Sequence, residues 1–397
     1  MTLPSAFTLH ARDGEARAGL VQTKHGGFAT PAFMPVGTHA TVNSVDPDEL
    51  RACGVEVVLC NAYHLALRPG VEVIERAGGL HEFMRWPGPI LTDSGGYQLV
   101  SLDRIATVDD ESATFVSPYD GTRMRVTPEE TVRLQGRLDA DIVMCLDHPV
   151  RWGTDAALTA AASARTTQWA RRCLEVHPGE GRLLFGIAQG GFDAAARQQS
   201  AGELAAMGFD GYAVGGLSVG EPLEVMEAMA HESVSVLPAD RPRYFMGLGT
   251  DAELLTMVAL GIDMFDCVVP TRLARNGSAL TDDGVLSLRT AAVREDLRPI
   301  EAGCDCAACA GFSRAYLRHL FVAGEILAHR LVTVHNLTHL SRLMRLAGEA
   351  ITAGRFGAFR AEVVARQSRA GLKQDVETRQ EQGAVLAVPE RDGGTAG

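Results

Sequence analysis

The sequence predicts an α/β fold of the (β/α)8, TIM-like barrel class, followed by a smaller C-terminal subdomain. Short apolar runs that end in polar or small residues alternate with helix-like stretches, which is typical of a parallel sheet buried on both faces. Eight such runs fall within a stretch of the size usual for one barrel. No Gly-x-Gly-x-x-Gly motif follows the first run, which argues against a dinucleotide-binding fold.

The elements follow in order along the chain. The predicted strands lie at 32–38, 55–63, 90–98, 140–148, 183–191, 212–217, 244–250 and 262–271. The helices predicted between them include 128–139, 155–176, 193–207 and 222–236. Two segments combine proline with acidic residues, Pro128-Glu129-Glu130 and Glu221-Pro222, and we expect each of them in the first turn of a helix. After the eighth run the pattern predicts a hairpin over 278–289, with its turn at 282–284, and a helical segment over 336–367.

We therefore divide the chain into three predicted regions. Residues 1–275 form the barrel with an N-terminal β extension, and residues 276–370 form the subdomain with the C-terminal helices. Residues 371–397 are polar and rich in small residues, and we expect a disordered tail.

Composition bounds the class of protein. A net charge of -12 over 397 residues excludes a chain coated for non-specific nucleic-acid binding, although a local basic face stays possible. No apolar run approaches the ~20 residues that span a bilayer, and the first ten residues lack the pattern of a secretory signal. We expect a cytoplasmic protein with no membrane partner, in which the 8 cysteines are too few for a disulfide scaffold and stay reduced.

Three cysteines, Cys304, Cys306 and Cys309, lie within one short segment. Three thiolates and a histidine make a closed tetrahedral set for zinc, which leaves no open position for catalysis. The sequence therefore predicts one structural Zn²⁺ in a C-terminal zinc-binding subdomain. The histidines available as the fourth ligand are His319, His329, His335 and His339. Exposed thiols without a metal are the alternative interpretation.

Polar residues end several predicted strands. Asp93, Asp147, Gln189 and Asp266 each lie at or near the end of a run, and the carboxyl ends of barrel strands carry the chemistry in this fold. Two carboxylates at one mouth suit glycosyl transfer, with one as nucleophile and one as acid and base. Helix N-caps are the alternative for each aspartate alone. Spacing alone leaves a sugar, a phosphate ester or a nucleoside as the substrate.

The chain resembles the bacterial-type tRNA-guanine transglycosylases, or queuine tRNA-ribosyltransferases. The resemblance rests on several motifs in family order: DSGGYQ (93–98), GIAQGG (186–191), GGLSVGE (215–221), RYFMGLGT (243–250), GIDMFDCVVPTRLARNG (261–277) and the Cys-x-Cys-x2-Cys…His set. It covers roughly the first 370 residues. It implies the same barrel, a zinc subdomain with His335 as the fourth ligand, a homodimer, and pentosyltransferase activity.

The resemblance also implies roles for individual residues. Asp266 would attack C1′ of the wobble guanosine and form a covalent intermediate, while Asp93 would act as general acid and base. The base would be bound by these residues: Asp147, Gln189, Gly216, Leu217, Glu221, Tyr97 and Met246. Arg272 and Arg275 would hold the anticodon backbone of a tRNA with a U-G-U context, unless they are only solvated. A surplus of arginines between residues 312 and 348 suggests a second phosphate contact or, alternatively, a solvated helix face.

Two departures from the family pattern bear on the incoming 7-deazaguanine base. Asp147 is followed by His148 and Pro149 where bacterial relatives carry Glu and Cys, whereas Val219 keeps the bacterial pattern. Valine limits room for the cyclopentenediol of queuine, so we expect preQ1 (7-aminomethyl-7-deazaguanine), with queuine as the alternative. Two other functions stay open: a non-catalytic RNA-binding subunit and a barrel glycoside hydrolase. An archaeosine-type enzyme is disfavoured because no additional RNA-binding domain follows the zinc region.

Overall fold

The computed structural model describes residues 6–96, 106–117 and 121–369. The chain begins with an antiparallel sheet of three strands, β1 (Phe7–Asp13), β2 (Ala16–Thr23) and β3 (Gly26–Thr30). Their apolar side chains, such as Phe7 and Phe28, pack against residues inside the barrel. This sheet therefore closes the N-terminal end of the barrel.

Eight parallel strands form a closed barrel in chain order, which confirms the predicted fold class. The strands are β4 (Ala32–Gly37), β5 (Val58–Cys60), β6 (Ile90–Thr92), β10 (Ile142–Met144), β11 (Leu183–Ala188), β12 (Gly211–Val214), β13 (Arg243–Phe245) and β14 (Met264–Cys267). The barrel closes where β14 pairs with β4, and Asp266 lies opposite Met34 there. Each strand lies inside its predicted run, except that the sixth and seventh begin one residue earlier.

Between β6 and the following helix the structure contains a second antiparallel sheet that the sequence did not predict. Its strands are β7 (Ala106–Val108), β8 (Ala113–Val116) and β9 (Arg123–Val126). These strands are only three or four residues long, so even the alternation of β9 is too short to give a clear periodic signal. The ring of buried Phe115 from β8 lies against that of Tyr63 in a tilted arrangement, with centroids 5.0 Å apart, so this sheet packs against the barrel.

Helices surround the barrel. They are α1 (Pro47–Ala52), α2 (Ala62–Leu67), α3 (Val71–Arg76), α4 (Leu80–Met84), α5 (Pro128–Arg137), α6 (Ala156–Val176), α7 (Ala194–Met207), α8 (Leu223–Val234), α9 (Asp251–Ala259) and α10 (Val269–Arg275). Thr127 caps α5 in a capping box with Glu130, as the sequence indicates. The expectation that Glu221 and Pro222 lie in a first helical turn is wrong, because α8 begins after Pro222.

The chain after the barrel contains the predicted hairpin, β15 (Ser278–Thr281) and β16 (Gly284–Ser287), and a short 3-10 turn. Four helices follow: α11 (Ala307–Gly311), α12 (Arg314–Ala323), α13 (Ile326–Thr352) and α14 (Phe356–Arg369). The single helical segment over 336–367 is wrong, because Gly354, at φ +64°, separates two helices.

The C-terminal helices share a core with the barrel. Leu340, Met344 and Ile351 of α13 belong to the same buried apolar cluster as Phe265 of β14. The division at residue 275 stays a prediction, and the predicted tail lies outside the described residues. Across the part of the chain that the structure describes, no helix combines the length and apolar character needed to cross a membrane.

Candidate active site and metal centre

Four polar side chains meet at the C-terminal mouth of the barrel. Asp93 follows β6, Asp147 follows β10, Gln189 follows β11, and Asp266 lies within β14. Because all the strands are parallel, these ends face the same side. The negative charges of Asp266 and Asp147 help to raise the pKa of Asp93, so the three carboxylates lie close enough to interact.

Asp266 is held by two donors on the neighbouring strand. The hydroxyl of Tyr244 donates to Oδ1 at 2.5 Å, and the backbone N–H of Gly247 donates to the same oxygen at 2.9 Å. Burial raises the pKa of Asp266, and these two hydrogen bonds oppose that rise. Both hydrogen bonds found for this carboxylate within the described residues end on Oδ1, so none of the described donors occupies Oδ2.

Asp93 is held from the loop after β5. The backbone N–H of Ala62 donates to Oδ1 at 2.9 Å, and the side-chain amide of Asn61 donates to Oδ2. Burial raises the pKa of Asp93 to about 7, with Ala62 opposing the rise and the charges of Asp266 and Asp147 adding to it. A carboxyl group with this pKa exchanges a proton readily near neutral pH.

Asp147 and Gln189 form a buried polar pair beside the two carboxylates. Gln189 Nε2 donates to Oδ2 of Asp147 at 2.8 Å, and Ser94 Oγ donates to Oδ1 at 3.2 Å. Burial raises the pKa of Asp147 to about 6. A Cβ at Gly96 would overlap Oδ1 of Asp147, so this glycine permits the loop after β6 to lie against the aspartate. The pair offers donors and acceptors to the edge of a planar ligand.

The loop after β12 supplies the next wall of the site. Gly216 has φ +65°, and a Cβ there would overlap Gln189 Oε1, so only glycine fits the position. Leu217 is buried, and Glu221 accepts hydrogen bonds from the backbone N–H groups of Ser218 at 2.5 Å and Val219 at 2.9 Å. The carboxylate of Glu221 therefore shapes this loop.

A buried arginine on α7 also fixes the loop after β12. Arg197 of α7 donates to the carbonyl oxygens of Gly191 at 2.8 Å and Gly215 at 2.7 Å, and reaches that of Gly216 at 3.4 Å. Burial lowers the pKa of Arg197 to about 9, which leaves it charged at neutral pH. The guanidinium thus joins the loops after β11 and β12.

The remaining predicted site residues lie around the mouth. Met246, after β13, is partly buried beside the barrel core. Tyr97 lies outside the described residues. Arg272 and Arg275 both belong to α10, directly after β14, and burial together with the charge of Arg272 lowers the pKa of Arg275. Neither arginine forms an ion pair with any residue of the described ranges.

Four supporting residues were not predicted from the sequence: Tyr244, Asn61, Ser94 and Arg197. The first three lie within the motifs and runs named above. Asn61 and Ser94 are polar residues that follow strand ends, whereas Tyr244 lies inside β13. Arg197 has no such signal, because its contacts depend on how α7 packs against the barrel. The substituted position His148 turns towards α6, where Arg165 donates to its Nδ1 at 3.0 Å.

The three clustered cysteines and His335 come together beneath the hairpin. The Sγ atoms of Cys304, Cys306 and Cys309 lie 3.8, 3.6 and 3.3 Å from Nδ1 of His335. These separations suit ligands of one tetrahedral metal ion, which are roughly 3.5 Å apart when the bonds are those of zinc. His335 Nε2 donates to the carbonyl of Leu280 at 2.7 Å, which leaves Nδ1 free to bind a metal. The set can therefore hold a metal ion.

The competing histidines and the surplus of arginines have other partners. His339 pairs with Asp251 at 2.8 Å, away from the cysteines. Four of the arginines meet acidic side chains from other segments or the next turn: Arg314 with Asp296, Arg330 with Glu49, Arg342 with Asp282, and Arg345 with Glu349. The structure therefore does not favour this surplus as a phosphate-binding surface.

The chain is similar to known proteins over most of its length. The family model described as queuine tRNA-ribosyltransferase matches residues 13–369. A protein of that name from Solidesulfovibrio magneticus is 50% identical over 367 residues, which cover 92% of this chain and 98% of the relative. Relatives of the same name from Nitratidesulfovibrio vulgaris and Herpetosiphon aurantiacus are 49% and 48% identical, over 91% and 89% of this chain and 96% and 90% of their own. These matches confirm the resemblance, and the chain belongs to the queuine tRNA-ribosyltransferase family.

Proposed function

We propose that this protein is a tRNA-guanine transglycosylase, which replaces guanine at the wobble position of the anticodon with preQ1 during queuosine biosynthesis. One observation carries the proposal: two carboxylates, Asp93 and Asp266, share one barrel mouth with the polar pair Asp147–Gln189. Glycosyl transfer needs two carboxylates, and recognition of a base needs donors and acceptors on its edge. The family membership of the chain supports the same activity.

In the proposed reaction Asp266 is the nucleophile. Oδ2 attacks C1′ of the ribose as the C1′–N9 bond to guanine breaks, so a covalent tRNA–enzyme ester forms. The hydrogen bonds from Tyr244 and Gly247 to Oδ1 hold the carboxylate in one orientation, which lowers the entropic cost of the attack. In the second half, N9 of the incoming base attacks C1′ and releases Asp266.

Asp93 is the proposed general acid and base. Its raised pKa of about 7 leaves a substantial protonated fraction at neutral pH, so it donates a proton to guanine as the base leaves. The carboxylate formed then accepts the proton that the incoming base loses. Asn61 and Ala62 stabilise the ionised form between the two halves.

The base would bind between the loops after β6, β10, β11 and β12. The carboxylate of Asp147 accepts N–H groups of the guanine edge. Oε1 of Gln189 is buried and has no hydrogen-bond partner within the described residues, so a base supplies the donor that it lacks. The backbone of Gly216 and the carbonyl of Leu217 complete the edge contacts, with Glu221 behind them and Met246 and Tyr97 against the ring faces.

PreQ1 is the proposed incoming base, and queuine is the alternative. Val219 is half-buried in the loop that Glu221 shapes. Its side chain takes up space near the substituent of a 7-deazaguanine, which suits a small aminomethyl group better than a cyclopentenediol. Pro149, where the family carries cysteine, is buried and changes the opposite wall.

Transfer RNA with a U-G-U anticodon context is the proposed partner. Arg272 and Arg275 lie in the first two turns of α10, which begins three residues after Asp266, where their charges would contact phosphates beside the reacting nucleotide. A homodimer is the second proposed association. Exposed apolar side chains in the region after the barrel support it: Leu297, Tyr316, Val322 and Ile326. Apolar surface of this kind is typical of an interface.

The Cys3His set is proposed to hold one structural Zn²⁺ per chain, because three thiolates and an imidazole are the ligands that zinc prefers in closed sites. Cys306→Ser should lower zinc content and thermal stability together. Metal analysis and a melting curve measure both effects, and Cys173→Ser, at a buried cysteine elsewhere, is the control for losing a thiol. A wild-type protein that is active without metal would contradict this assignment.

Base exchange is the direct test of the proposed function. Incubation of unmodified tRNA with radiolabelled guanine should transfer label into tRNA without strand cleavage or an abasic product, and preQ1 should compete more effectively than queuine. A glycoside hydrolase would release base without incorporation, and a non-catalytic RNA-binding subunit would retain tRNA without exchange. Either outcome overturns the proposal.

A further inference from the structure

Two histidines and an aspartate form a cluster at the N-terminal end of the barrel, opposite the catalytic mouth. His25 lies between β2 and β3, His81 lies in α4, and Asp141 directly precedes β10. His25 Nδ1 is 2.8 Å from Asp141 Oδ1, and His81 Nε2 is 3.1 Å from Oδ2. One ligand atom from each side chain lies within 4.8 Å of the other two. Three separate segments of the chain therefore meet here.

The backbone fixes the position of the hydrogen on His81. Nδ1 lies 3.0 Å from the carbonyl oxygen of Trp86, and a carbonyl only accepts, so Nδ1 carries the hydrogen. Neutral His81 therefore presents the lone pair of Nε2 to Asp141. This nitrogen is buried and makes no well-aligned hydrogen bond within the described residues. Two electron-rich atoms 3.1 Å apart need a cation, either a proton or a metal ion, beside them.

The aspartate has coordination capacity left. Backbone N–H groups of His25 and Ile90 donate to Oδ1 at 3.1 Å and to Oδ2 at 2.9 Å. A carboxylate offers about four lone-pair sites, so one on each oxygen remains directed at the imidazoles. Ligands about 2.1 Å from one metal ion are roughly 3.0–3.4 Å apart; the 3.1 Å between His81 Nε2 and Oδ2 lies in this range, and the 2.8 Å between His25 Nδ1 and Oδ1 is slightly shorter. Because Nε2 of His81 makes no hydrogen bond with a described residue despite this short separation, a metal ion beside the two atoms accounts for the contact.

We propose that His25, His81 and Asp141 form a second metal site, for one divalent transition ion such as Zn²⁺ or Co²⁺. Imidazole and carboxylate ligands together select ions of this class. The side chain of His25 is 26% exposed, which gives an ion a path from solvent and leaves a position for water. A bound ion links the β2–β3 turn, α4 and the start of β10, and so stabilises the closed end of the barrel. The proposal does not depend on the catalytic function.

Cobalt titration of the full-length protein, already loaded at the Cys3His set, tests this site. A second equivalent of Co²⁺ should bind and give d–d absorption without the thiolate-to-cobalt charge transfer that marks the cysteine site. It should also raise the melting temperature. His25→Ala should weaken this binding at least about tenfold, as expected when a contribution to the site is lost.

His10→Ala, at an exposed histidine on β1, is the matched control and should bind Co²⁺ like the wild type. Circular dichroism verifies that His25→Ala folds, which its position in a turn favours. The proposal is overturned if no second equivalent binds, if the only new absorption is thiolate charge transfer, or if His25→Ala and wild type bind Co²⁺ equally. Each of these results leaves an ordinary polar contact between the two imidazoles and Asp141 as the whole account.

Discussion

The two ends of the barrel treat buried carboxylates in opposite ways. At the N-terminal end, Asp263 is fully buried and accepts hydrogen bonds from the guanidinium of Arg17, with Nε at 3.0 Å, and from the backbone N–H of Arg243 at 2.7 Å. At the C-terminal end, Asp93, Asp147 and Asp266 share one mouth, and the donors found for them among the described residues are neutral: Asn61, Ala62, Ser94, Gln189, Tyr244 and Gly247.

The pKa values follow this difference only at Asp141, because burial raises the pKa of Asp263 although Arg17 and the backbone N–H of Arg243 oppose the rise. Asp141, at the N-terminal end, is buried, but the facing imidazole of His81 and the hydrogen bond from the backbone N–H of Ile90 outweigh the effect of burial and hold its pKa below the ordinary value. In the mouth, burial and mutual repulsion raise the pKa of Asp93 to about 7, and burial raises that of Asp147 to about 6. A fold that only needed stability would pair these charges. Crowded, unpaired carboxylates in a cleft indicate a site kept for chemistry.

The largest expected effect is the loss of exchange in Asp266→Asn. The amide keeps the shape of the side chain but removes the nucleophilic charge, so the rate should fall by at least about 10⁴-fold. The melting temperature should stay the same or rise, because the variant no longer buries a carboxylate. Steady-state kinetics and thermal unfolding measure the two quantities. A stable variant that retains a tenth of wild-type activity would contradict the assigned role.

The opposite pattern is expected at the N-terminal end. Arg17→Met keeps most of the side-chain volume but leaves the buried carboxylate of Asp263 without its cation, which typically costs about 3–5 kcal/mol of stability. Urea unfolding measures this loss, and kcat of the folded fraction should not change. Arg12→Met, at an exposed arginine of β1, should shift stability by no more than about 0.5 kcal/mol. A drop in kcat for Arg17→Met at full folding would mean that the two ends are coupled.

The pH dependence of kcat/KM should be bell-shaped, with limbs near pH 6 and pH 7. The acidic limb arises because Asp147 must be ionised to accept N–H groups, and the basic limb because Asp93 must be protonated to release guanine. Asp93→Asn should remove the basic limb along with most of the rate. A profile that is flat across both values would contradict this assignment.

Stability should respond to pH with a defined sign. The pKa of Asp93 is raised by folding, so folding favours its protonated form, and this stability is lost as the pH rises through about 7. The free energy of unfolding of Asp93→Asn minus that of wild type should therefore be larger well above pH 7 than at a pH well below the ordinary pKa of an aspartate. Urea unfolding at the two pH values measures the difference, and a gain of the opposite sign would place the burial of this carboxyl in doubt.

The smallest expected effect concerns the choice of incoming base. Val219→Gly removes the side chain beside the predicted position of the base substituent, and the ratio of kcat/KM for queuine to that for preQ1 should rise about tenfold. Val219→Ala should give an intermediate ratio, which separates pocket volume from the added backbone freedom of glycine. If neither variant changes the ratio, Val219 does not limit base size.

The same two ends differ in how far the sequence could predict them. Barrel strands and the carboxylates that end them were predictable, because continuous apolar runs followed by Asp or Gln are a local pattern. Asp263 and Asp141 precede their strands, so they do not follow an apolar run. Their partners Arg17 and His25 also lie far away in the chain. The role of Arg197 could not be predicted either, because its partners are brought to it only by the packing of α7 against the barrel. Gly354 separates α13 from α14, whereas the apolar periodicity of the sequence predicts one continuous helix there.

The central claim is that Asp266 forms the bond to ribose, and one measurement tests it most directly. Wild-type protein is incubated with tRNA, the covalent adduct is trapped by denaturation, and digestion with nuclease and protease is followed by mass spectrometry of the modified peptide. We predict that the ribose adduct maps to Asp266, in the peptide that continues into α10, and that Asp93→Asn lowers its yield without moving it. Ribose attached to Asp93 would reverse the two roles and contradict the account.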